Sequence, residues 1–81
     1  MEDNTRVVIY RDINLERDRQ DQKWGSQREN PTLLWAAILT EEIGEVNRAI
    51  LDKADAQHLR TELIQVAAVA VAWLEAIDND T

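Results

Sequence analysis

Eighty-one residues, 44% of them hydrophobic and 31% charged, suffice for one domain. A chain this short buries only about 60 to 65% of its unfolded surface. With no cysteine it has neither a disulfide nor a thiolate metal site as a staple, which leaves oligomerisation or a bound cation.

The net charge of −7 is unevenly spread. Residues 1–28 hold six of the nine basic residues and are neutral, whereas the chain from Glu29 onward has three basic and ten acidic side chains. Such a body repels a nucleic-acid backbone, so no nucleic-acid partner is expected. It attracts divalent cations, and through them phosphorylated ligands. Met1-Glu2-Asp3-Asn4-Thr5 lacks a basic start followed by an apolar stretch. The longest apolar run, Leu63 to Leu74, covers twelve residues with Gln65 inside it, too short to cross a bilayer. A cytoplasmic protein without a membrane partner is expected.

Two glycines, one proline and no sustained alternation of period two make the chain all-α, a single domain over residues 1–81 with 1–6 and 79–81 frayed. Val7-Val8-Ile9-Tyr10 is the one β-favouring patch; without a partner strand it reads as the lead-in to a first helix over about Asp12–Lys23. That helix is mostly polar and must lie across something else. Gly25 suits a stop with positive φ. Asn30 as N-cap with Pro31 at the first helical position starts a second helix, which runs to about Leu51. After a turn through Lys53, Asp55 caps a third helix over about Ala56–Asp78.

The third helix is apolar nearly all round between Leu63 and Leu74, with a main stripe of Leu59, Leu63, Val66, Ala70, Trp73 and Ile77. The other two helices can shield two of its sides, so a second chain is expected on the rest, with Ala67, Ala68, Ala70 and Ala72 permitting close approach. The expected architecture is three main helices per chain, an antiparallel hairpin of the second and third, and a helical bundle completed in a homodimer or homotetramer. Trp35 and Trp73 lie in apolar stripes and read as core.

Carboxylates interrupt this pattern. Trp35, Ile38, Leu39, Val46, Ala49 and Ile50 share one face of the second helix, with Glu42 near its middle, Glu45 at its edge and Glu41 just beyond. Glu62 borders the main stripe of the third helix, with Gln65 one turn on. An antiparallel hairpin pairs Glu45 with Glu62, and Glu42 with Gln65, at matching heights. Buried ionised carboxylates cost several kcal/mol unless a countercharge meets them. Of the three basic residues after Glu29, Arg48 faces away, Lys53 is in the turn and Arg60 is turned from the Glu62 flank. Oxygen ligands without His or Cys suit Mg²⁺, with Mn²⁺ as a substitute. Single helical glutamates are commonly just solvated, and for Glu41 that reading stands beside the functional one.

Glu41-Glu42-Ile43-Gly44-Glu45, then sixteen residues, then Glu62-Leu63-Ile64-Gln65 resembles the motif of the MazG-type all-α nucleoside triphosphate pyrophosphohydrolases. Gln20-Asp21-Gln22-Lys23-Trp24-Gly25-Ser26-Gln27 and Leu63–Ala70 also look like segments of small MazG-like proteins, so the resemblance spans about residues 12–78. It implies hydrolysis of (d)NTPs to (d)NMP and pyrophosphate, Mg²⁺ as cofactor, and assembly as dimers or tetramers. Carried over, Glu41, Glu42, Glu45, Glu62 and Gln65 form the metal set. Glu41 and Glu42 are the catalytic candidates, with Glu41 free to take a proton from the attacking water. Gln65 stands where the motif has Asp and brings no charge, which implies weaker metal affinity or one ion fewer.

Lys23, Trp24, Gln27 and Asn30 are the substrate-binding candidates. Lys23 would meet a phosphate or stay solvated; Trp24 would stack on a base or cap the core. Gln27 would read a base edge, as would Asn30 if it is not simply a cap. His58 reads as exposed, with no companion for a zinc site. Beside the pyrophosphohydrolase stand two other readings: a helical oligomer that binds nucleotide and metal without turnover, and an interaction protein without a ligand.

Overall fold

A computed structural model describes residues 3–79, and all regular structure among them is helical: α1 (Thr5–Trp24), α2 (Thr32–Leu51) and α3 (Ala56–Asp78). Of the residues expected to fray, 1–6 and 79–81, residues 1–2 and 80–81 lie outside the described residues, whereas Thr5 and Arg6 already belong to α1.

α1 starts earlier than its polar stretch indicates. It opens at Thr5, whose N–H donates to Asp3 Oδ1 at 2.9 Å, and Val7-Val8-Ile9-Tyr10 is helical. Val8, Ile9, Asp12, Ile13, Glu16, Arg17 and Gln20 are its half-buried or buried residues, a single stripe at helical spacing. This stripe lies on α3 and explains the extension: β-branched residues accept a helical backbone when their side chains find a packing surface. α1 ends as expected at Gly25, whose φ of 72° reverses the chain while its N–H donates to Asp21 O at 2.8 Å.

Pro31, not Asn30, occupies the N-cap of α2, with extended backbone (φ −68°, ψ 155°) and no side-chain cap. Its carbonyl accepts from Leu34 and Trp35, while Asn30 N–H turns back to Gln27 O at 3.1 Å. Proline biases the residue before it toward extended backbone, and here the turn after Gln27 absorbs Asn30. At the other junction, Asp55 Oδ1 accepts from His58 N–H at 2.8 Å, the cap that its position predicts.

α3 packs against both other helices, whereas the backbones of α1 and α2 stay apart. The molecule is a slab of 41 × 34 × 19 Å, about two helix diameters thick. Its core is small: Trp35, Val69 and Ala76, with Ile38, Leu39, Ala72 and Trp73 packed against them. Trp35, 4% exposed, stacks on Trp73 with ring centroids 6.4 Å apart and planes 8° from parallel. Both tryptophans are core, as their stripes indicate.

The stripe of α3 needs correction. Its inward face is Val69, Ala72, Trp73 and Ala76, whereas Leu63 and Ile77 are half exposed. Periodicity marks an apolar helix but cannot choose among its sides when nearly all of them are apolar. No described helix is long and apolar enough to cross a membrane.

Candidate functional site

A cleft of about 650 Å³ lies between the second half of α1, the Gly25–Arg28 loop and α2, with α3 as its floor. Because α1 and α2 both rest on α3 with their backbones apart, the groove between them stays open. Its α2 wall contains Trp35, Ile38, Glu41 and Glu42, and Gln65 and Glu75 rise from α3.

Glu42 is the electrostatic focus. It is half buried, and its carboxyl is raised above the ordinary value, first by desolvation and then by the negative charges of Glu62, Glu41, Glu45 and Glu16. Helical geometry forces this: Glu42 shares the inward face of α2 with Ile38 and Ala49 and cannot swing wholly into water. Glu41 and Glu45 are exposed. Glu62 is half buried, and His58 Nε2, one turn earlier on α3, lies 3.3 Å from its Oε1. His58 is exposed, as expected, yet it does have this partner.

Of the candidate ligands, Glu41, Glu42 and Gln65 line the cleft; Glu45 and Glu62 do not, though both bear on Glu42 through space. Among the described residues no three acidic or histidine side chains stand close enough together to ligate one ion as they lie. The donor set around Glu42 nevertheless suits a hard cation: it consists mainly of carboxylates, which repel one another, with the His58 imidazole beside Glu62 as the one nitrogen ligand nearby.

Lys23, Trp24 and Gln27 sit at the opposite wall. Trp24 is exposed, which sets aside its role as a core cap, and Lys23 Nζ lies 4.7 Å from its ring centroid. Asn30 is not part of this wall. It lines a separate hollow with Arg28, Pro31, Thr32 and Asn79, and its Nδ2 is buried without a partner.

α1 also contributes Glu16, Arg17 and Arg19, which the sequence does not mark as site residues, together with Gln20. Arg19 grips Glu16 through Nε at 2.9 Å and Nη2 at 2.6 Å. Its guanidinium is held charged by Glu16 first and, less strongly, by Glu42. Arg17 Nε and Nη2 bond both oxygens of Glu75, which lowers the Glu75 carboxyl below its ordinary value. Arg60, as expected, turns from Glu62, and it bonds Asp12 Oδ2 at 2.7 Å. The sequence signal for Arg19 was its three-residue spacing from Glu16 on the stripe that α1 lays against the body.

No protein-family model, curated protein or solved structure matches the chain.

Proposed function

We propose that the chain is a Mg²⁺-dependent nucleoside triphosphate pyrophosphohydrolase that clears (d)NTPs in the cytoplasm, converting each to (d)NMP and pyrophosphate. The observation that carries this reading is Glu42: a half-buried carboxylate on a cleft wall, made harder to ionise by burial and by four neighbouring carboxylates. A protein gains little from such a concentration of charge unless a cation joins it. The MazG-type resemblance of Glu41–Glu45 and Glu62–Gln65 points to the same chemistry. The finer fold reading, an antiparallel α2–α3 hairpin, draws support from Trp35 near the start of α2 stacking on Trp73 near the end of α3. It draws more from Glu42 and Gln65 lining one cleft.

Glu42, Glu45, Glu62 and Gln65 would hold the cation, with Glu62 released from His58 and Glu41, the other acid of the candidate set, left free of it. When bound, Mg²⁺ neutralises the acids, polarises phosphate oxygens and makes water more acidic. The other contributions come from side chains. Lys23 and Arg28 face the acid wall across the cleft and bind phosphate oxygens. Exposed Trp24 offers a ring face to a base, and Gln27 a hydrogen-bonding edge. Glu41 at the rim takes the proton from attacking water, which its exposure permits.

The test is pyrophosphate release across a panel of NTPs and dNTPs with Mg²⁺ or Mn²⁺, with the nucleotide product identified. Monophosphate with pyrophosphate is expected; diphosphate with phosphate, or no turnover, counts against hydrolysis between the α- and β-phosphates. Gln65 favours one second reading, a nucleotide and metal binder without turnover. Binding without product, measured by calorimetry, would select it.

A further inference from the structure

Arg17, Arg19, Lys23 and Arg28 are the basic residues that line the cleft, and they are not held alike. Arg17 is locked: its side chain is 11% exposed, and its bonds to Glu75 tie α1 to α3. Lys23 lies against the Trp24 ring, and Arg28 stands in the loop. Arg19 is bonded within its own helix, through Nε and Nη2 to the two oxygens of Glu16 one turn earlier. Those bonds join no two helices, and an ion pair within one helix adds little to stability. The Arg19 side chain is 51% exposed, whereas that of Glu16 is 12% exposed. The guanidinium, on a long stem in the open cleft, is the partner with room to turn.

Its place in the cleft says where it can turn to. Glu16, Arg19 and Lys23 follow one another on α1 at steps of three and four, and so share one face. Glu41 and Glu42 stand on the α2 wall of the same cleft, and the charge of Glu42 reaches Arg19. Arg19 and Lys23 are one turn apart, about 6 Å along the helix axis. Two cations so spaced, opposite a row of carboxylates, suit a chain of several phosphates lying between the walls. The planar fork of Arg19 matches a pair of phosphate oxygens as well as it matches the carboxylate it now holds. Leaving Glu16 therefore exchanges one two-pronged bond for another, to a ligand of higher charge. Glu16 lies near enough to Glu42 to act on it, and a cation held beside Glu42 replaces the countercharge that Glu16 gives up.

On the reading of the cleft as a site for a metal-bound nucleoside triphosphate, on which this rests, we infer that Arg19 leaves Glu16 when such a ligand enters and grips its phosphate chain. Arg19 is then a substrate-binding residue, supplied by the wall opposite the acids.

Titration calorimetry with inorganic tripolyphosphate in the presence of Mg²⁺ tests this without a base and without turnover. The parent chain should bind it, and Arg19→Met should weaken binding at least about tenfold. Arg19→Lys keeps the charge without the fork and should fall between the two. Toward Mg²⁺ alone the sign reverses: Arg19→Met should bind the ion more tightly than the parent, because a positive charge has left the neighbourhood of Glu42 and Glu16 is uncovered. A residue that merely shapes the cleft would weaken both. Arg48→Met, the same loss of charge on α2 outside the cleft, should change neither. Circular dichroism checks the helices of each variant; should Arg19→Met unfold, Arg19→Lys carries the test, with weaker tripolyphosphate binding expected. Tripolyphosphate affinity unchanged in the folded Arg19 variant overturns the inference and leaves the metal site standing, as does Mg²⁺ binding weakened by Arg19→Met, or a parent chain that binds Mg²⁺ but no tripolyphosphate. A parent chain that binds neither overturns the underlying reading as well.

Discussion

Arg17 on α1 grips Glu75 on α3 with a two-pronged bond, Nε to one carboxylate oxygen at 2.8 Å and Nη2 to the other at 2.9 Å. The same Nη2 reaches Asp21 Oδ1 at 3.0 Å, one turn further along α1. Arg17 is also the one buried residue of α1. The pair therefore joins a polar helix to the body where apolar contact is scarce, and it ties the α1 wall of the cleft to its α3 floor.

Arg17→Met should lower stability by about 1 to 3 kcal/mol, the range for an uncompensated partly buried polar group, rather than the larger cost of breaking a fully buried pair. The Glu75 side chain is 36% exposed, so solvent screens part of the loss. Arg17→Lys keeps the charge but not the fork and should recover only part of it. Urea midpoints of the three proteins measure this; three equal midpoints would mean that α1 is held by other contacts.

Acid should act on Glu42 and Glu75 with opposite signs. The Glu42 carboxyl is raised in the folded state, so its ionised form opposes folding above that raised value, and the penalty disappears as pH falls below the ordinary carboxyl range. Glu75 is lowered by Arg17, so its stabilisation is present above the ordinary value and is lost as pH falls through the lowered one. At neutral pH Glu42→Gln should therefore melt higher than the parent chain and Glu75→Gln lower. Both differences shrink toward zero in strong acid. Melting curves from neutral pH to about pH 3 follow both trends, and a destabilising Glu42→Gln at neutral pH would contradict the assigned sign.

Divalent ions should raise the melting temperature of the parent chain. A ligand bound only by the folded state at a hundred times its dissociation constant adds about 2.7 kcal/mol. Glu42→Gln should keep the fold, lose most of this response and lose turnover. Calorimetric scans with and without Mg²⁺ check it, with Ca²⁺ and Na⁺ as controls for screening of the acidic surface. An equal response in the variant would remove Glu42 from the set of ligands.

Gln65→Asp should tighten Mg²⁺ binding by about tenfold or more, since it adds a charged oxygen donor where an amide now faces the cleft. In the absence of metal the same change should lower the melting temperature, because one more acid then joins Glu42. Titration calorimetry reads the first effect and a thermal scan the second. Weaker metal binding in the variant would place Gln65 outside the site.

Trp35→Ala should cost about 3 to 5 kcal/mol. For a chain whose whole stability is of the order of 4 to 12 kcal/mol, this threatens the fold, and far-UV circular dichroism should show helix loss or a much lower melting point. Trp24→Ala, at an exposed ring on the cleft, should leave stability nearly unchanged and weaken nucleotide binding instead. Comparing the two separates the structural indole from the ligand-facing one.

The three helices, the stop at Gly25, the cap at Asp55 and the tryptophan core were legible from the chain alone, because each rests on interactions within a few residues. Glycine tolerates a positive φ, an aspartate side chain reaches an amide three residues on, and apolar spacing marks a face. The early start of α1 was not legible there, since it rests on the half-buried Val8 and Ile9, which continue the packed stripe of α1, while Val7 and Tyr10 stay exposed. Nor was the choice of α3's inward side, because nearly every side is apolar and only the positions of α1 and α2 decide which is covered. The neighbourhood of Glu42 belongs to the same class. The motif named the acids, but Arg19, a cation that feels the charge of Glu42, comes from a helix that no local pattern connects to α2. The bonds that seat that helix join Asp12 to Arg60 and Arg17 to Glu75, across 48 and 58 residues of chain. Contacts at such separation depend on how the helices settle together, so tertiary packing alone turned a row of glutamates into one half-buried carboxylate among four others on the wall of a cleft.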